Sequence, residues 1–494
     1  MYYPGKSEFV KLAKQGNLIP VYREMIADFE TPLSCYSKID EGDYSFLLES
    51  VEGGERIARY SFLGSNPSLV ISSNGNTVTL REGNRTKSYR AEDPIEELRK
   101  IISKYKFVRT EGLPRFCGGL VGFFGYDIVR FIEEIPDKNP DDLKVADSVF
   151  MLTDTILIFD HVDHKVKIVS NAHIKGSPAK AYDESVKKIG RIVRALKTAP
   201  RADKYASRAK RRALPLKFKS NFTRTEFEAV VKKAKAYIRK GDIIQVVPSQ
   251  RLEVSIDTHP FRIYRALRSI NPSPYMYYLK LGGFTLVGSS PEVMVRCEDG
   301  KVELRPIAGT RRRGASQEED ERLVRDLLAD PKERAEHIML VDLGRNDVGR
   351  VCNFKTVKVS ELMTIEKYSH VMHIVSDVSG TLSKGKDAFD VLKAAFPAGT
   401  VTGAPKVRAM EIIDELENRK RKTYAGSVGY FSFSGNLDSC ITIRTILIKG
   451  NTAYIQAGGG VVADSNPGRE YQETLNKAGA LLKAIEMAET GEAK

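Results

Sequence analysis

The chain has 494 residues, 41% of them hydrophobic and 29% charged, so it can bury a sizeable core and is neither a disordered nor a fibrous sequence. Its 78 basic and 64 acidic residues leave a net charge of +14, but no RNA- or DNA-binding motif accompanies that charge, and a small polyanionic ligand is drawn to a basic protein as well as a nucleic acid is. The N-terminal MYYPGKSEFVKLAKQGN has no apolar run of signal-peptide length, no stretch reaches the ~18 apolar residues of a membrane span, and the five scattered cysteines lack CxxC spacing, all of which points to reduced thiols in a cytoplasmic protein.

Residues 45–51 and 58–63 read as two strands around the hairpin turn Glu52-Gly53-Gly54-Glu55. Residues 149–160 and 166–170 read as a second pair around His161-Val162-Asp163-His164, a turn in which the histidines are surface residues. A helix over 180–197 leads into a basic stretch, 201–219, containing Arg208, Lys210, Arg211 and Arg212; like charges repel, so this reads as an extended, solvated linker. Thr223-Arg224-Thr225-Glu226 has the form of a capping box, and Phe227, Val230, Val231, Ala234, Tyr237 and Ile238 then recur at helical spacing until Gly241. Strands are expected over 243–252, 276–281, 284–288, 293–297 and 302–306, and helices over 318–328 and 331–343. Further strands follow over 426–432, 440–449 and 452–457, and a long helix over 468–489. Strands and helices cluster without the strict alternation of a parallel sheet, which predicts an α+β fold with large antiparallel sheets.

Three constellations could carry chemistry. Glu333 and Glu336 lie three apart on one expected helix, Glu470 and Glu473 three apart on another, and such spacing places each pair on one face. If the faces meet, an all-oxygen site results, which favours magnesium over zinc. Gln456-Ala457-Gly458-Gly459-Gly460-Val461 follows a strand, and side-chain-free residues let backbone amides approach an anion. Pro306-Ile307-Ala308-Gly309-Thr310 and residues 397–406 are similar small-residue loops, the second leading into a helix from about Val407. His370 and His373 form an H-x-x-H, but on a strand positions i and i+3 face opposite ways, so one is read as an acid/base and the other as structure. GxSxG, HExxH and GxxxxGK[ST] are missing, as is a cysteine set for amide hydrolysis.

Over residues 216–488 these pieces stand in one order: GDIIQVVPSQ (241–250), GSSPE (288–292), RPIAGTRRRG (305–314), AEHIMLVDLGRND (335–347), YSHVMHIVS (368–376), FPAGTVTGAPK (396–406), VGYFSF (428–433), CITIRT (440–445) and QAGGGVV (456–462). The chain resembles the chorismate-utilising enzymes, and LLES (47–50) with RYSFLG (59–64) resembles their anthranilate-forming branch. Isochorismate-forming relatives carry a lysine base where this chain has Gln245, and the aminodeoxychorismate synthases, the alternative reading, carry lysine where it has Ala308.

The resemblance implies a division into residues 1–215, a regulatory region ending in the basic linker, and residues 216–494, a chorismate-binding catalytic domain. It implies Mg2+ on Glu336 and Glu473, with Glu333 and Glu470 close by, and a substrate held by Gly309, Thr310, Tyr424, Arg444 and the amides around Gly458, Gly459 and Gly460. Glu292 is then the general acid and His373 the group that assists loss of the ring proton. Gln245 is a neutral amide that cannot activate water, and Thr400 supplies a substrate hydrogen bond. It further implies a glutamine amidotransferase subunit as partner, in a heterotetramer, and feedback inhibition by L-tryptophan bound at Ser50, Pro274, Tyr275 and Met276.

Overall fold

In the computed structural model, residues 1–50, 59–198, 205, 216–368 and 371–491 are described. The turn expected at 52–55, His370, and Arg208, Lys210, Arg211 and Arg212 of the basic linker lie outside them.

Among the described residues two large sheets dominate, of 11 and 12 strands, and every strand pairing in them is antiparallel. The first runs in the order Leu18–Ile26, Lys165–His173, Thr155–Asp160, Tyr60–Ser65, Tyr44–Glu49, Tyr275–Leu281, Thr285–Ser290, Thr445–Lys449, Thr452–Gly458, Ser249–Ser255, Lys219–Ser220. The second runs Ile307–Arg312, Val371–Thr381, Lys301–Leu304, Val293–Glu298, Leu437–Ile441, Ser427–Ser432, Gly119–Phe124, Ser148–Thr153, Leu69–Asn74, Thr77–Glu82, Arg85–Arg90, with Lys358–Lys367 also paired to Val371–Thr381. Each sheet therefore takes strands from both 1–215 and 216–494. The seams are Tyr44–Glu49 against Tyr275–Leu281 in the first and Gly119–Phe124 against Ser427–Ser432 in the second.

Strand alternation sets the layers. Phe46 and Leu48 face a core shared by the two sheets, with Phe62, Phe116, Val121, Phe123 and Tyr430, while Leu47 between them faces the helices outside. Those helices include Pro178–Leu196, Pro260–Ile270 and Pro467–Thr490 over the first sheet. Pro94–Ile102, Pro331–Gly349 and Ala388–Ala395 cover the second. The result is helix, sheet, sheet, helix, and each fully buried aliphatic or aromatic side chain in it contributes about 1.5–3 kcal/mol.

Three expected strands are each two. Residues 149–160 divide at Asp154, residues 440–449 divide at 442–444, and both breaks pass the chain from one sheet to the other. Arg444 makes its crossing with φ +50°, a left-handed conformation rare outside glycine. Residues 243–252 divide at Pro248, which has no N–H for a ladder; Gln245–Val246 pairs with Gly403–Ala404 and only Ser249–Ser255 joins the first sheet. Gly403 cannot carry a side chain here, because a Cβ would stand 2.1 Å from the Gln245 carbonyl oxygen. The capping box forms as expected: Thr223 N donates to Glu226 Oε2 at 2.7 Å, Glu226 N to Thr223 Oγ1 at 3.3 Å, and Gly241 ends the helix at φ +82°.

Candidate active site

The three glycines after Thr452–Gly458 form a wall that other groups crowd. A Cβ on Gly458 would meet the Tyr424 hydroxyl at 2.7 Å; on Gly459, Glu470 Oε2 at 3.1 Å and Glu473 Oε1 at 3.9 Å; on Gly460, Gln245 Nε2 at 2.5 Å and Glu336 Oε1 at 3.8 Å. The absent side chains thus bring both glutamate-bearing helices, Pro331–Gly349 and Pro467–Thr490, to one place. Glu333 reaches Gly309, whose Cβ would stand 3.1 Å from its Oε2, and is neutralised by Arg311 at 3.1 Å. Glu473 is exposed and paired with Lys477 at 2.7 Å.

The other two carboxylates are less compensated. Burial raises the pKa of Glu336, and the Gln245 amide, donating at 3.0 Å, draws it back. Burial likewise raises Glu470, whose Oε2 is buried without a hydrogen-bond partner. Among the described residues no three His, Cys, Asp or Glu side chains close into a preformed metal cage. Magnesium is commonly held by one or two carboxylates together with waters and substrate oxygens, so open carboxylates with an orphaned oxygen fit it.

His373 lies on Val371–Thr381 opposite Thr310 of Ile307–Arg312, where the register slips between Ala308 and Thr310. At that bulge Gly309 has φ +69°. The Gly309 carbonyl accepts from His373 Nδ1 at 3.0 Å, and the Thr310 hydroxyl lies 3.1 Å from the same nitrogen. A carbonyl can only accept, so Nδ1 carries the proton and Nε2 of the neutral ring keeps its lone pair. Burial lowers the His373 pKa, which keeps the ring neutral at neutral pH.

Glu292 follows Thr285–Ser290 and is fixed by its backbone, its carbonyl accepting from Ile441 N at 3.0 Å. Burial pushes its carboxyl up to about 7, against the pull of Thr400 and Lys477. The Thr400 hydroxyl is buried beside it without completing a hydrogen bond of normal geometry. Arg444 Nη1 donates to the Lys477 carbonyl at 3.2 Å, and its own carbonyl accepts from Ser289 N at 3.1 Å. Beneath them the buried pair Arg421–Glu417 ties the loops together: Arg421 donates to Val401 O at 2.7 Å and Val247 O at 2.6 Å, and its guanidinium lies 5.4 Å from the Tyr424 ring centroid. Sequence reasoning missed Lys477, whose Nζ donates to Gly458 O at 3.0 Å and bridges to Glu473. Its position one turn after Glu473 on the same helix face is the one trace it leaves in the sequence, a spacing that solvated helix faces share.

Ser50, Pro274, Tyr275 and Met276 meet elsewhere, lining a cavity of about 490 Å³ with Leu48, Glu49 and Arg59. Glu49 is buried, accepts from the Tyr264 hydroxyl, pairs with Arg268 at 3.2 Å and keeps Oε1 unbonded. The Tyr275 hydroxyl donates to Asp438 at 2.8 Å and accepts from Arg296 at 3.1 Å. This cavity straddles the seam between Tyr44–Glu49 and Tyr275–Leu281.

A two-sheet fold that sets carboxylates of two helices against a glycine wall, and that carries a protonatable glutamic acid and a neutral histidine, has the side chains of an acid/base enzyme. The sequence pattern of the chorismate binding enzymes matches residues 43–483, and the chain belongs to that family. Anthranilate synthase component 1 of Acetivibrio thermocellus is 53% identical over 490 residues, 99% of each chain. That of Aquifex aeolicus is 50% identical over 483 residues, 98% of this chain and 97% of the relative. The crystal structure of anthranilate synthase component I from Streptococcus pneumoniae superposes with a TM-score of 0.77 at 37% identity, covering 93% of this chain and 99% of that one. The menaquinone-specific isochorismate synthase of Escherichia coli shares the fold, with a TM-score of 0.69 at 18% identity. Among the described residues no helix is long and apolar enough to cross a membrane.

Proposed function

We propose that the chain is the chorismate-converting large subunit of an anthranilate synthase, making anthranilate, pyruvate and water from chorismate and ammonia. The observation that carries this reading is Glu292, a buried carboxyl beside Thr400 that burial pushes up to about 7, in a chain whose His373 is held as a neutral ring by its bond to the Gly309 carbonyl. Glu336 and Glu473, with Glu333 and Glu470 beside them, would hold Mg2+, which when bound supplies positive charge for the ring carboxylate. Arg444, Tyr424, Thr310 and the amides of Gly458 and Gly460 orient the enolpyruvyl side, an arginine fork suiting a carboxylate. Glu292 gives its proton to the departing ring hydroxyl, which leaves as water while ammonia adds to the ring. Gln245 faces that chemistry as an amide with no basic lone pair, so water is not activated in ammonia's place. His373 Nε2 then takes the ring proton, and enolpyruvate departs as the ring becomes aromatic.

Component 1 works with a second component, which we take to be a glutamine amidotransferase in a heterotetramer, supplying the ammonia. We assign the 490 Å³ cavity to L-tryptophan as a feedback inhibitor, with Ser50 and Glu49 toward the amino-acid head and Met276 beside the indole. The five free, buried thiols suit the reducing cytoplasm. Purified chain given chorismate, magnesium and an ammonium salt tests the reaction: anthranilate fluorescence and pyruvate should appear together. Chorismate consumed without pyruvate would instead make it an aminodeoxychorismate synthase.

A further inference from the structure

Another cavity, of about 640 Å³, opens between the two sheets and shares no lining residue with the catalytic groups or with the Met276 cavity. Its volume lies in the range of small-molecule sites. Three features on its wall point the same way. Tyr105 stands between two other rings, its centroid 4.8 Å from that of His173 and 5.1 Å from that of Phe433, so one side is an aromatic face. Asn171, only 2% exposed, spends its Nδ2 on the carbonyls of Cys117 at 2.7 Å and Asp154 at 3.2 Å, while its Oδ1 is buried with no partner. A buried amide oxygen left unbonded is costly and marks a place where a donor is wanted. Finally, Lys188 neutralises Asp154 at 2.6 Å, but Arg85, Lys87, Lys104 and Lys175 make no ion pair among the described residues, against only Glu82 and Glu184 on the same wall.

We propose that this cavity is a further small-molecule site, built for a planar aromatic acid that carries an N–H or O–H donor. The ring lies against Tyr105 and its neighbours, the donor meets Asn171 Oδ1, and the carboxylate faces the uncompensated lysines. Stacking and charge pairing together select for both halves of such a ligand, since neither aromatic hydrocarbons nor simple anions use all three features. Anthranilate, an aromatic acid with an amino group, is the simplest probe. Calorimetric titration of the full chain with anthranilate needs no turnover, so the result stands apart from the reaction assigned above. Wild-type chain should bind anthranilate at a site that Lys104→Glu/Lys175→Glu, a pair of exposed positions, weakens at least tenfold while chorismate turnover is unchanged. Aniline, which keeps the ring and donor but lacks the carboxylate, should bind the wild type at least tenfold more weakly. Identical anthranilate binding by wild type and double variant, at whatever stoichiometry, overturns the proposal, as does aniline binding equal to that of anthranilate.

Discussion

Gln245 and Glu336 come from parts of the chain far apart in sequence, yet the amide of one donates to the carboxylate of the other at 3.0 Å. Burial pushes the Glu336 pKa up and this hydrogen bond holds it down. Gln245→Leu should therefore raise it further, and a protonated carboxyl cannot hold a cation. A hydrogen bond to a charged group is worth ~1.5–3 kcal/mol, so the magnesium needed for half-maximal activity should rise about tenfold. The deficit should be greatest in mildly acidic buffer and shrink as the pH is raised. Magnesium titrations of wild type and variant across pH measure it, and an unchanged requirement would separate Gln245 from the cation.

Metal dependence itself has a sharper test. Chelation should remove activity, magnesium should restore it, and Glu336→Gln or Glu473→Gln should abolish it. Full turnover in excess chelator would falsify the assignment of the two helices as a cation site.

Glu292 acts only while protonated, and its carboxyl sits at about 7. With free ammonia held constant, kcat should be high below that value and fall as the pH rises through it. Glu292→Gln should lower kcat by about 10²–10⁴-fold, the usual contribution of a general acid. A profile that stays flat on both sides would take the acid role away from Glu292.

The chain alone should not use glutamine. Burial raises the thiol pKa of Cys35 and Cys117 to about 12 and of Cys297 and Cys352 to about 11, and raises Cys440 too, so none is an activated nucleophile. Activity should follow free ammonia, increasing with total ammonium and absent with glutamine until an amidotransferase is added. Glutamine-dependent anthranilate formation by the pure chain would contradict this.

Tryptophan should inhibit the wild type and spare Ser50→Phe, whose ring would project into the 490 Å³ cavity and take the inhibitor's space. The chain contains no tryptophan, so with excitation beyond the tyrosine band the protein adds no indole emission to that of the inhibitor. The variant should turn over chorismate near normally and leave tryptophan fluorescence unchanged. Equal sensitivity of both proteins would place the inhibitor elsewhere.

The sequence made legible the α+β class with large antiparallel sheets, from the clustering of strands and helices, and beyond that mostly local features. The capping box at Thr223, the helix bearing Glu333 and Glu336, and the glycine run are read from a few neighbouring residues, and the structure contains each of them. The crossings at Asp154, Pro248 and Arg444 were not legible, because an apolar run that changes sheets has the same alternation as one that does not. Lys477 escaped because an i,i+4 pair with Glu473 looks like any solvated helix face. The orphaned oxygens of Glu470 and Asn171 depend on surroundings drawn from distant segments, which no local pattern records.

The seam between Tyr44–Glu49 and Tyr275–Leu281 has a consequence for synthesis. As the chain emerges from the ribosome, the early strands of both sheets must wait for partners translated long afterwards, with one edge open meanwhile. Such pairing is slow and leaves strand edges exposed to other chains. A nascent or truncated chain ending before Tyr275 should therefore be captured by chaperones or aggregate, and the full-length protein should gain its stability late and all at once.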